Sequence, residues 1–296
     1  MNNNNKAILL ALLAVLLWSS VATIFKLTLR YFSPSVMLFY SIVFSILSIF
    51  TVLVFQKKIH LIFSYNKKEY FTLALLGLIN PTLYYLVLFR AYDILPAQEA
   101  QPINYTWALM LTYLSVFILK RKIGVYDFLA GIICYFGVFI ISTHGNLLDF
   151  EFTSSKGVFL AVFSTFLWSI YWVYSTKLSV EPVVGLFINF LFGFLFVSVY
   201  FIVFGYHLTF DIYGFMGSFY IGMFEMGLTF VLWLFAMKLT SSSSKVANLI
   251  FLSPFLSLIF IHFILKEDIR TSTFVGLSMI IFGLILQQKK GKVNKT

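Results

Sequence analysis

A single carboxylate stands inside an apolar run: Glu225, within Ile221-Gly222-Met223-Phe224-Glu225-Met226-Gly227-Leu228-Thr229-Phe230-Val231-Leu232-Trp233. The run is long enough to cross a bilayer. A charge at that depth costs several kcal/mol unless it meets a polar interior, a counter-charge or a proton. Its chemistry would be reversible: neutralising a bound cation, or exchanging a proton as a substrate moves. Asn80 lies 145 positions earlier, directly before Pro81. A proline removes a backbone donor and kinks a membrane helix, so a polar side chain there would sit at an interruption. Its alternative role is a hydrogen bond between helices.

Other polar residues fall on helical faces. Ser19, Thr23, Lys26 and Arg30 are spaced by four, three and four, which aligns them on one side of a helix. Lys26 could hold a substrate carboxylate or snorkel to the interface. Gln101, Asn104, Tyr105, Ala108 and Thr112 form a second stripe, with Glu99 a turn earlier and expected at an exposed outer mouth. Asn189 shares a face with Gly185 and Gly193, a spacing that serves close packing or a pathway. Ser244 and Asn248 share a face, which makes Asn248 a candidate cavity residue, while the run Ser241 to Ser244 before it reads as a helix cap. Tyr84 or Tyr85, Tyr105, Trp107, Trp168 and Trp233 are candidate walls, since small-molecule sites are mostly apolar with a few placed polar groups. Trp107 could stack on a planar substrate or simply pack.

The elements that must carry these residues follow from composition. The chain has 296 residues, 60% hydrophobic and 11% charged. A soluble domain would have roughly twice that charged fraction. The apolar residues come in ten blocks, about 7–29, 34–55, 70–91, 95–119, 125–143, 156–176, 183–204, 212–236, 243–265 and 271–287. Each is near the length a helix needs to span hydrocarbon. The expected fold class is an all-α polytopic membrane protein. The first block is too long for the apolar core of a signal peptide and is expected to be retained. The net charge of +10 is no nucleic-acid signature, because the basic residues lie in short loops. Fifteen Lys and Arg fall in segments on the side of the N-terminus; four (Arg30, Lys156, Lys266 and Arg270) fall on the other. The positive-inside rule then puts both termini in the cytoplasm. Walker A, His-Glu-x-x-His and Gly-x-Ser-x-Gly patterns are absent. The lone Cys134 excludes an intrachain disulfide and a cysteine metal cluster. No cofactor, metal site or catalysis is expected. The expected partners are a small-molecule substrate, possible coupling protons and the lipid bilayer.

The chain also repeats itself. Leu17-Trp18-Ser19 returns as Leu167-Trp168-Ser169, Gly77 as Gly222, Ala91 as Ala236, Phe117-Ile118-Leu119-Lys120 as Phe263-Ile264-Leu265-Lys266, and Gly131 as Gly276. The shifts are 145 to 150. Two halves of five helices are expected, 1–143 and 155–296, joined by an external linker at 144–154. An odd number of helices per half makes the repeats inverted, the organisation of many secondary transporters, with a site between halves. On that register Glu225 is the counterpart of Asn80.

These features resemble the drug/metabolite transporter superfamily and its EamA-type branch. The Leu-Trp-Ser triplets and Leu265-Lys266-Glu267-Asp268-Ile269 before a last helix with Gly276 carry the likeness, over roughly 7 to 287. The resemblance implies ten helices, alternating access, small-molecule substrates and a bacterial cytoplasmic membrane. Residues 99–107 are similar to the fourth helix of aromatic amino acid exporters, although Ala108 stands where those have proline. The first half has Lys120-Arg121-Lys122 where the second has Glu267, which gives Glu267 an architectural role. The expected function is export of amino acids or related metabolites. Uptake or cationic-drug efflux within the superfamily, and a membrane receptor or embedded transferase, are the alternatives.

Overall fold

The computed structural model describes residues 3–120, 124–146, 148, 152–240, 246 and 248–289, without the side chains of residues 234, 238, 288 and 289. The Ser241 to Ser244 run and several loop lysines lie outside the described residues. Ten apolar helices are found among the described residues. They are α1 (Asn3–Thr28), α2 (Pro34–Phe55), α3 (Lys67–Ile94), α4 (Ala97–Leu119), α5 (Val125–Ser142), α6 (Ser155–Ser175), α7 (Pro182–Phe204), α8 (Ile212–Met237), α9 (Leu249–Leu265) and α10 (Thr271–Gln287). Eight are long and apolar enough to cross a membrane; α9 and α10 are shorter. The protein is an all-α polytopic membrane protein.

Helix starts are set by local chemistry. Ser33 caps α2 with Pro34 as its first residue, Asn66 and Glu69 form a reciprocal capping box on α3, and Asp211 accepts from Tyr213 and Gly214 to start α8. These caps satisfy amides that a helix leaves without partners. Ser154 does the same for α6 and Glu181 for α7.

Two compact units are present, and neither follows the halves of the sequence. One comprises Met1–Leu86 and Leu178–Leu265; the other comprises Val87–Lys177 and Lys266–Thr296. Each takes helices from both halves. In the first unit α2 packs on α7, with Phe39 against Phe194 and Phe201, and Phe50 against Phe187. Residue numbers rise along α2 as they fall along α7, so this repeat-related pair is antiparallel. In the second unit α5 packs on α10 in the same sense: Gly137 meets Gly276, Cys134 donates to the Ile280 carbonyl, and Ala130 approaches Gly283. Corresponding helices of the two halves therefore run in opposite directions.

Matching glycines set matching close approaches. A methyl group at Gly77 would stand 2.5 Å from the Asn189 carbonyl oxygen and 3.0 Å from Phe192 Cβ. At Gly222 it would press on the Ser41 carbonyl oxygen and stand 2.6 Å from Phe44 Cβ. Both glycines accept a carbonyl and the β-carbon three residues on, so α3 lies on α7 as α8 lies on α2. Absence of a side chain lets the backbones meet at van der Waals distance, where membrane helices gain their packing energy.

Candidate functional site

In the first unit, α3 and α8 are both interrupted at the positions that the repeat relates. On α3 a π-helical turn spans Leu78–Leu83; inside it Asn80 leaves helical geometry (φ −136°, ψ 117°), and the Asn80–Pro81 peptide is cis. Thr82 Oγ1 donates to the Gly77 carbonyl, 3.0 Å away, and closes the break from within. On α8 a π-helical turn spans Ile221–Glu225, the Met226 amide reaches back to the Ile221 carbonyl, and Gly227 follows with φ −120° and ψ −98°. No proline is involved there. Gly222 lies within the turn and Gly227 just beyond it, and glycine tolerates such excursions. π-Turns of this kind gather at functional sites.

The break on α8 presents Glu225. Its side chain is half-buried, and Tyr85 of α3 donates to Glu225 Oε1 at 3.3 Å. Among the described residues, none of the ion pairs involves Glu225. Tyr85 is buried and its ring meets Tyr84 edge-on at 4.7 Å. Asn80 is buried with its Oδ1 unpartnered, and so is the Thr23 hydroxyl on α1. Trp233 lies two turns beyond Glu225 and packs on Trp18 at 5.6 Å. Ser20, half-buried on α1, exchanges a 2.7 Å hydrogen bond with Tyr220. Lys26 is half-buried near the end of α1, and Asn189 is buried on α7. Asn248 was expected on a cavity wall; its side chain is exposed just before α9.

The second unit holds the fourth-helix residues. Asn104 Nδ2 donates to Ser164 Oγ at 3.0 Å. α4 bends at Thr106, four residues after Pro102, and Ser169 of α6 donates to the Trp107 carbonyl at 3.1 Å. Trp107 then meets Trp168 edge-on at 6.5 Å, and Trp168 continues to Tyr171 and Trp172. Tyr105 is half-buried on the preceding turn.

Glu99, expected at an exposed outer mouth, is instead fully buried, its side chain 0% exposed. Its Oε1 accepts from Arg270 Nη1 and from Thr153 Oγ1 (2.8 Å), and His144 Nε2 lies 3.1 Å away. Arg270, 171 residues distant, folds back because two caps fasten its loop to the start of α4. Glu267 accepts from the Ala97 and Gln98 amides, while Gln98 Oε1 accepts from the Arg270 amide and Thr273. Glu267 is thus a helix cap. The partners of Glu225 and Glu99 carry no local sequence signal, and the serines of α2 that meet the α8 break (below) were missed. Their one legible trace is the spacing of Ser41, Ser45 and Ser48 on a single helix face.

A model of the EamA-like transporter family matches residues 5–143 and 155–287. The chain belongs to that family. It is therefore a membrane transporter of the drug/metabolite superfamily and a multi-pass integral membrane protein. A solved crystal structure, described only as that of a protein, is similar with a TM-score of 0.68 at 17% identity, covering 99% of each chain. That likeness concerns the fold alone. A search of curated proteins finds no match.

Proposed function

We propose that this EamA-family protein is a secondary transporter that exports amino acids or related small metabolites by alternating access, with Glu225 as the group that binds the moving amine or proton. The observation that carries the reading is the carboxylate at the α8 break, held by Tyr85 and by no cation among the described residues. A carboxylate kept in an apolar helix without a fixed counter-charge is suited to a mobile one. Opposed breaks in repeat-related helices are how many secondary transporters build a site.

Asn80, Thr23, Tyr84, Trp233, Lys26 and Asn189 are proposed to contribute beside Glu225, within its own unit, and Asn104, Tyr105, Trp107 and Trp168 are proposed to line the substrate path within theirs. The site is proposed to form between the two sequence halves, 1–143 and 155–296. Both termini are proposed to be cytoplasmic, in a bacterial cytoplasmic membrane, on the strength of the loop charges. Aromatic walls beside one carboxylate also suit an organic cation, which makes cationic-drug efflux the second reading.

The test is a thermal-shift screen of purified protein against amino acids, nucleosides, sugars and organic cations, followed by counterflow of whatever stabilises it. A ligand that binds the folded protein raises its melting temperature. Stabilisation by one or more amino acids, lost in Glu225→Gln, is expected. A response confined to organic cations selects the second reading, and a response confined to sugars or nucleosides overturns the amine assignment.

A further inference from the structure

The break on α8 has no proline to impose it. Every amide from Ile221 to Leu228 could rejoin a regular helix. Something outside α8 must therefore favour the interrupted form, and α2 supplies it. Ser45 Oγ, fully buried, donates to the Met226 carbonyl at 3.2 Å. Ser48, one turn on, places its hydroxyl 2.6 Å from where a Gly227 side chain would begin. Ser41, one turn earlier, offers its carbonyl to the face of Gly222. The three serines share one side of α2, and all are buried. The α3 break differs: Pro81 lies within it, and the donor belongs to the broken helix itself, Thr82 Oγ1 donating to the Gly77 carbonyl and, at 3.4 Å, to the Gly193 carbonyl of α7.

We propose that Ser45 is a positioning residue for Glu225. By satisfying the Met226 carbonyl from outside, its hydroxyl makes the interrupted form of α8 the favoured one, and that form aims Glu225 at Tyr85. A regular helix through 221–228 would restore the four-residue bonding pattern. Each residue of a helix turns about 100° from the last, so removing one extra residue from the turn swings Glu225 by a comparable angle. Without a donor at Ser45, the Met226 carbonyl would be a buried acceptor with no partner, and the regular helix would gain. The assignment rests on Glu225 being the transport carboxylate. Its test reads the carboxyl directly and so fails or succeeds independently of transport.

The experiment is infrared spectroscopy of the full-length protein in lipid. The carboxyl band of Glu225 is identified by its loss in Glu225→Gln, and its position in Tyr85→Phe defines the carboxyl that has lost the phenol. Ser45→Ala should move the band toward the Tyr85→Phe position, and Ser45→Thr, which keeps the hydroxyl, should restore it. Ser45→Cys, close to serine in size with a weaker donor, should shift the band in the same direction as alanine and serves if the alanine variant does not fold. A native band in Ser45→Ala or Ser45→Cys overturns the proposal. So does a band that Tyr85→Phe itself leaves in place. Equal shifts in the alanine and threonine variants also overturn it, because they would assign the effect to packing rather than to the hydroxyl.

Discussion

Gly137 of α5 and Gly276 of α10 meet backbone to backbone: a methyl group on Gly137 would stand 2.6 Å from the Gly276 carbonyl oxygen, and one on Gly276 would press on the Gly137 carbonyl. The approach is possible because neither residue has a side chain. It joins two helices that occupy the same place in the two halves of the chain and run in opposite directions. Gly137→Ala and Gly276→Ala should each destabilise the protein by about 1–3 kcal/mol, the usual cost of an added methyl in a packed contact. The double variant should cost less than the two singles together, since the first methyl already parts the helices. Melting in detergent measures all three. Unchanged melting in both single variants would contradict the contact.

Glu225→Gln keeps the shape of the side chain and removes its charge. Transport should fall by at least tenfold in proteoliposomes loaded with a substrate found in the ligand screen, and its dependence on pH should flatten. Full transport with the native pH profile would leave Glu225 a packing residue.

Tyr85→Phe removes the one hydrogen bond that Glu225 receives among the described residues. Hydrogen bonds to charged groups contribute about 1.5–3 kcal/mol. Transport should drop roughly tenfold or more, given about 1.4 kcal/mol per decade, with the fold intact by circular dichroism. An effect under twofold would show that the phenol is dispensable.

Glu99 and Arg270 form a pair that is buried on one side only, with the Arg270 side chain 40% exposed. Breaking a fully buried pair costs about 3–5 kcal/mol; here the exposed guanidinium recovers water, so Glu99→Gln should cost about 1–3 kcal/mol. The double variant Glu99→Gln with Arg270→Gln should be more stable than Arg270→Gln alone, because only that single variant leaves the buried Glu99 carboxylate without its guanidinium. Equal stability of single and double variants in thermal unfolding would remove the pair as the reason for burial.

Topology is checked by single cysteines in exposed loops. Ser64 precedes α3 and Asn146 follows α5, and both are exposed. A membrane-impermeant maleimide should label a cysteine at residue 146 in intact cells and one at residue 64 only after the membrane is opened. The native Cys134 is buried and should stay silent. Labelling of residue 64 from outside, with residue 146 labelled only after opening, would reverse the charge argument for orientation, and labelling of both from outside would contradict the three spans between them.

The amino-acid sequence by itself determined what depends on short stretches of chain. Blocks of apolar residues near bilayer length yield ten helices, and capping residues such as Asn66 with Glu69 start them. Repeated landmarks such as Gly77 with Gly222 disclose two halves. Glu225 stands out because a charge in an apolar run is conspicuous without any partner in view. Tertiary structure alone decided who meets whom. Tyr85 and Glu225 are 140 residues apart, Ser45 and Met226 are 181 apart, and Glu99 and Arg270 are 171 apart. Glu99 near the head of α4 looks exposed in a linear reading; it is buried because Glu267 and Gln98 cap each other's helices and fold Arg270 over it. Insertion into lipid is a sum over neighbouring residues, so hydropathy carries it. Hydrogen bonds between helices depend on which faces meet, and those faces are set by the packing of the whole bundle.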